Sequence, residues 1–202
     1  MGLGYLKNSQ GVDIKDVIPG LIEAMHDQSK SVQLHAAMVL GFIGPEAEPA
    51  VPTLTALLNE SETVAGTTDR IYTRSAAARA LGQIGPKAKA ALPALRSLLA
   101  DNDNYLRVVT AVAVWRIDGD VTNTLPVLIQ GLPQLQENSK WEAIDGMTEM
   151  GPLAKAAVPV LLNELNLLPA PTWAGVRQYN GQKITNALKQ IDPEAAAKAG
   201  VK

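Results

Sequence analysis

Glu23, His26 and Asp27 stand three and four residues apart, on one face of any helix that carries them, and His35 is the only other histidine of the chain. Such a set would do metal or proton-transfer chemistry. One imidazole with two carboxylates is a poor donor set for a transition metal, however. Neither histidine has a serine partner of the kind a nucleophilic triad needs, and no Gly-x-Ser-x-Gly elbow occurs. The glycines of GLGYLKNSQG (2–11) lack the Lys-Ser/Thr ending of a phosphate-binding loop. The absence of cysteine removes thiolate nucleophiles, thiolate metal sites and disulfides. The histidine cluster is therefore read as an exposed helix end. No catalytic residue, metal ligand or cofactor is expected.

The elements that would position any site repeat along the chain. VIPGLIEAM (17–25), AVPTLTALL (50–58), ALPALRSLL (91–99), TLPVLIQGL (124–132) and AVPVLLNEL (157–165) are copies of one phrase. Their prolines, Pro19, Pro52, Pro93, Pro126 and Pro159, are 33, 41, 33 and 33 residues apart. Self-similarity at this period marks units too small to bury their own apolar face, which stack on their neighbours. A second recurring segment alternates with the proline phrases and ends on Ile43, Ile84, Ile117, Met150 or Ile191. Leu40, Leu81, Val114, Met147 and Leu188 stand three residues earlier, and Ala36, Ala77, Thr110, Ala143 and Ile184 one turn before those. That spacing makes an amphipathic helix, here helix A; the proline phrase is helix B.

Links such as GPEAEPA (44–50), GPKAKAA (85–91) and GPLAKAA (151–157) join A to B. Their glycine suits a left-handed cap, and their proline ends helix A. The proline of helix B is expected in its first turn, where no amide donor is needed. Helices are predicted at about 31–43, 47–59, 71–84, 88–100, 104–117, 121–132, 139–150, 154–167 and 180–191. The expected fold is all-α: a right-handed α-solenoid of stacked antiparallel helix pairs, forming a single domain over 1–202. Its repeats are approximately 1–28 (partial), 31–60, 71–101, 104–133, 139–168 and 173–202, the last one capping. LGYL (3–6) matches LGFI (40–43) and LGQI (81–84), so the chain opens inside the end of a helix A. It is expected to be part of a longer repeat array or multidomain protein.

Two insertions break the regularity, 60–70 and 166–180, both on the connection from B to the next A. Equivalent connections lie along one edge of a solenoid, so the two would bracket the face of the helices B between them. The second holds Trp173, Arg177 and Tyr179, a large share of the chain's scarce aromatics. These residue types dominate protein interfaces; alternatively, Trp173 folds back to seal the last repeat. Arg74 and Arg107 share one helix-A position, each with an acid four or five residues earlier, Asp69 and Asp103. Pairs of this kind are expected to hydrogen-bond between neighbouring repeats.

The phrase AAxxLGxIGPxAxxAxPxLxxLL, best kept at 36–58 and 77–99, resembles HEAT repeats of the bacterial type and is closest to the subgroup named after the phycobilisome lyases. The third copy departs from it, with Trp115 in place of Gly41 and Gly82 and Asp118-Gly119 in place of Gly-Pro. The resemblance implies the solenoid and leaves several functions open. Diiron hydroxylases of this fold carry His-Glu dipeptides, whereas His26 and His35 are followed by Asp27 and Ala36. DNA glycosylases of this fold need a basic groove. The positions of helix B that face it here are Glu23, Ala56, Ser97, Gln130 and Asn163, with Arg96 the one basic residue nearby. Bilin-lyase-like proteins hold a tetrapyrrole, for which no cluster of aromatic and polar residues is evident.

The reading that remains is a non-enzymatic protein-interaction or scaffold module, with a bilin-lyase-like chromophore-handling protein as the alternative. The expected partner is another protein, contacted through Trp173, Arg177, Tyr179, Glu23, Gln130 and Asn163. Neither nucleic acid nor membrane is expected as a partner, given a net charge of −2, a pI of 5.7 and no run of 18 apolar residues. No signal peptide is evident, and the cytoplasm is the default compartment.

Overall fold

The computed structural model describes residues 14–59, 68–168 and 176–201. These residues form α-helices and 3-10 helices, and no strand occurs among them. The chain divides into two compact units, Met1–Gly119 and Asp120–Lys202.

In the first unit the A helices are α2 (Lys30–Ile43), α4 (Thr68–Ile84) and α6 (Asn104–Asp118). They stack in that order, α2 on α4 and α4 on α6. The B helices are α1 (Ile14–Ala24), α3 (Val51–Leu58) and α5 (Leu92–Leu98). They pack beside them, α1 on α2, α3 on α4 and α5 on α6, so the unit is a stack of helix pairs. Small residues let the A helices approach closely: Ala36, Ala37, Ala76, Ala77 and Ala80 are all buried. Leu40, Leu54, Leu58, Leu81, Ile84 and Leu95 fill the space between the A and B layers with no measurable exposure.

The second unit contains α7 (Val121–Gly131), α8 (Lys140–Met150), α9 (Val158–Leu167), α10 (Val176–Ile191) and α11 (Pro193–Lys198). Helix α8 packs on α7 and α10, α9 on α10, and α11 on α10. Leu128, Ile144, Met147, Leu161 and Leu188 form its core. Helix α11 was not among the predicted spans, although its start signal is plain. Asp192 caps it by accepting from the Ala195 amide at 3.1 Å, and Pro193 occupies the first position.

The A-to-B links are 3-10 helices, Gly44–Ala50, Gly85–Ala91 and Gly151–Ala157. The expected spans 47–59, 88–100 and 154–167 therefore begin as 3-10 and become α only at Val51, Leu92 and Val158. The cause is packing. A 3-10 helix repeats every three residues, and the alanines three apart in each link, Ala47/Ala50, Ala88/Ala91 and Ala154/Ala157, are completely buried. Gly44 and Gly85 have φ of 76° and 72°, which lets helix A stop and the link turn inward.

Pro52, Pro93 and Pro159 lie in the first turn, as predicted. Pro19 and Pro126 do not; they sit inside α1 and α7. In the third copy Gly119 forms a left-handed cap, and Asp120 accepts from the Asn123 amide at 3.1 Å. That cap starts an α-helix five residues before the proline, which replaces the 3-10 link.

The A helices after both insertions start early, α4 at Thr68 and α10 at Val176, against the expected 71 and 180. Of the insertions, 60–67 and 169–175 lie outside the described residues, while 166–167 still belong to α9. Among the described residues, no helix is long and apolar enough to cross a membrane.

Candidate functional site

The helix-B positions chosen from the sequence are all on the surface. In the first unit Glu23 on α1, Ala56 on α3 and Ser97 on α5 are exposed; in the second, Gln130 on α7 and Asn163 on α9 are exposed. The leucines two residues earlier on four of these helices, Leu54, Leu95, Leu128 and Leu161, are fully buried. Each helix B thus buries one edge and offers the next. The offered row is neutral to acidic. Its nearby cation, Arg96, is committed to Asp118 at 2.6 Å, so it is a poor footing for the several phosphates that nucleic acid would present.

The histidine cluster is used locally. Asp27 Oδ1 accepts from the Ser29 amide at 2.7 Å, and Gln33 Nε2 donates to the Asp27 carbonyl at 2.8 Å, which fixes the turn between α1 and α2. His35 Nδ1 lies 2.6 Å from the Ser31 carbonyl. Among the described residues, no three His, Asp or Glu side chains are grouped so as to hold a metal ion.

Of the three aromatic and basic candidates, Trp173 lies outside the described residues, and for Arg177 only the backbone, in α10, is described. Tyr179 lies on α10, with 55% of its surface exposed. Lys183, one turn later, places its ammonium 5.0 Å from the centre of the Tyr179 ring. Lys183 is itself held by Asp145 of α8 at 2.5 Å. Burial alone would lower the Lys183 pKa; hydrogen bonds to Asp145 and Tyr179 outweigh it and raise it. The ring is therefore backed by a cation that Asp145 holds, and it faces solvent.

An inter-repeat ladder exists around Asp101 rather than Asp103, while the side chain of Asp69 lies outside the described residues. Asp103 caps α6 by accepting from the Leu106 amide at 2.7 Å. The hub is Asp101. Its Oδ2 accepts from Arg74 of α4 at 3.1 Å, its Oδ1 from the Asp103 amide at 2.9 Å, and its carbonyl from Arg107 of α6 at 2.7 Å. Arg74 also donates to the Leu58 carbonyl at 3.1 Å, which ties the end of α3 to the same point. Arginines from two successive A helices thus meet at one loop residue.

A third member escaped the sequence reading. Lys140 stands 33 residues after Arg107, as Arg107 stands 33 after Arg74. Its ammonium is 2.5 Å from Glu164 Oε2 on α9 and 2.8 Å from Glu137 Oε1. The Glu164 side chain is 3% exposed. Burial pulls the Lys140 pKa down, but the bonds to Glu137 and Glu164 outweigh this and raise it above the usual lysine value. Asn180 of α10 donates to the Glu137 carbonyl at 2.6 Å and brings a third helix to the cluster. The 33-residue step could have revealed Lys140. Nothing local could have revealed Glu164, which is 24 residues away.

These ladders staple helices together. No curated protein sequence matches the chain. A family model does: residues 18–115 match the one for HEAT repeats, the span from α1 to α6 in which the stacked helix pairs and the Asp101 hub lie. Residues 18–115 are a HEAT-repeat region.

Proposed function

We propose that the chain is a protein-interaction module that works without chemistry of its own. HEAT repeats generally mediate protein binding, and the polar clusters of this chain hold helices together. The observation that carries the reading is Tyr179, a large aromatic that remains half-exposed while Lys183 and Asp145 fix its surroundings. Ordering costs are small for a side chain already held, so such a residue adds affinity efficiently. Trp173 and Arg177, within six residues of it in sequence, are the further anchors of this reading. Of the exposed helix-B positions, Glu23 and Ser97 offer polar side chains on the first unit, and Gln130 and Asn163 on the second.

The test uses the whole chain as bait. Proteins captured from the native lysate are identified, then remeasured with Trp173→Ala/Tyr179→Ala by titration calorimetry. Lost binding with an unchanged melting temperature supports the reading. A large fall in melting temperature would show that these aromatics seal the last repeat, and the interface assignment would have to be dropped.

A further inference from the structure

The face that each A helix turns toward its predecessor is buried throughout the first unit except at α2. In α4 it consists of Thr73, Ala76 and Ala80, and in α6, 33 residues on, of Leu106, Val109 and Ala113; all six are buried, because α2 and α4 respectively pack on them. The same positions in α2, 41 residues earlier, are Val32, His35 and Val39, and all three are exposed. Val32 and Val39 are 39% and 43% exposed, and Phe42, one turn beyond Val39, is 62% exposed. Together with Leu21 and Ala24 of α1, this face lines an open apolar groove of about 330 Å³. His35, its one imidazole, is occupied with the Ser31 carbonyl. An apolar strip at a position that is covered at every later step is an unfilled interface.

The register says what fits it. The glycine of Leu40-Gly41-Phe42-Ile43 sits against Ala80: a Cβ on Gly41 would be 3.1 Å from the Ala80 Cα. The glycine of Leu81-Gly82-Gln83-Ile84 sits against Ala113 at 2.7 Å in the same sense. One step back, Ala80 becomes Val39, and the matching phrase is Leu3-Gly4-Tyr5-Leu6, which lies outside the described residues. We propose that residues 3–6 dock in this groove, with Gly4 on Val39 as Gly41 is on Ala80 and Gly82 on Ala113. The tether is long enough: seven residues, 7–13, separate Leu6 from α1, and seven, 44–50, separate Ile43 from α3. Val39 and Phe42 give the segment more apolar surface to cover than the alanines of later steps do.

The chain has no cysteine, so crosslinking tests this without background. In Gly4→Cys/Val39→Cys, mild oxidation should form an intramolecular disulfide, identified by mass spectrometry of the digested protein. The off-face pair Gly4→Cys/Met38→Cys should close on the order of tenfold more slowly, because only Cβ atoms about 3.5–4.5 Å apart bridge without backbone movement. Equal rates for the two pairs would mean random collision of a tethered end and would overturn the proposal. A crosslinked dimer would also overturn it, since the occupant would then be a second copy. An independent variant guards against disturbance by the cysteines. Leu6→Asp should speed amide hydrogen exchange along α2 around Val39, and unchanged exchange there would equally sink the idea.

Discussion

A methyl group placed on Gly82 would come within 2.7 Å of the Ala113 Cα. Helices α4 and α6 touch there backbone to backbone, and no flexible side chain can yield. Gly82→Ala gains up to about 1 kcal/mol of helix propensity and loses about 1–3 kcal/mol to overpacking. The expected outcome is a net destabilisation. At Gly41 the nearest obstacle is the movable end of Gln83, and the next is the Ala80 Cα at 3.1 Å, so Gly41→Ala should be milder. Urea denaturation of both variants checks the order. A stabilised Gly82→Ala would mean that the stack is looser than described.

Leu54, Leu95, Leu128 and Leu161 are equivalent and fully buried. Truncation of each to alanine should cost about 2–5 kcal/mol, while truncation of the exposed neighbours Ser97 or Gln130 should change stability by less than about 0.5 kcal/mol. Comparable losses at buried and exposed positions in a denaturant series would contradict the assigned register.

Asp101 joins two repeats, so its loss should exceed that of a simple helix cap. Asp101→Ala removes the acceptor of the half-buried Arg74 and the Asp103 amide together, and hydrogen bonds to charged groups contribute about 1.5–3 kcal/mol. Asp103→Ala removes a cap of about 1 kcal/mol. A double-mutant cycle on Arg74 and Asp101 should give a coupling of about 0.5–3 kcal/mol. A coupling near zero would show that the ion pair is incidental.

Lys140 and Glu164 form the most deeply buried ion pair described. Lys140→Met should cost about 3–5 kcal/mol at neutral pH, because it strands the Glu164 carboxylate away from solvent. The pair Lys140→Met/Glu164→Leu should recover most of that loss. The folded-state pKa of Lys140 is raised above 10.5, so its contribution is fully present below about pH 10.5. It is lost as the pH rises through the folded value. Chemical denaturation from pH 7 to 11 should therefore show an alkaline loss in the native protein that is absent from the double variant.

Asp192 has the opposite sign. The Ala195 amide first, and then Lys155 at 3.0 Å, hold its pKa below 3.8. Its contribution is present above that value and is lost as the pH falls through the lower folded one. Protection of the α11 amides, measured relative to the intrinsic exchange rate at each pH, should fall at acid pH in the native protein. In Asp192→Asn that fall should be absent, because the residue no longer titrates.

The chain by itself determined most of the helices, their stacking in pairs and which edges they bury. The apolar spacing that puts Leu54, Leu95, Leu128 and Leu161 inside and Glu23, Ala56, Ser97, Gln130 and Asn163 outside is a property of a 3.6-residue period, and any observer of the chain can count it. The stops at Gly44, Gly85 and Gly151 were legible for the same reason, since only glycine adopts that backbone freely. Tertiary structure decided what local rules leave equal. GPEAEPA and GPKAKAA suit the first turn of an α-helix, and burial of Ala47/Ala50 and Ala88/Ala91 tightened them to 3-10. Arg107 has Asp103 four residues before it, yet the capping need of α6 took Asp103 and left the arginines to Asp101. Lys140 met Glu164 across 24 residues, and Asp145, on another helix, took the lysine that lies against Tyr179. Charged and polar partners are chosen by distance in space after the helices have docked, and the apolar period fixes the docking without naming them.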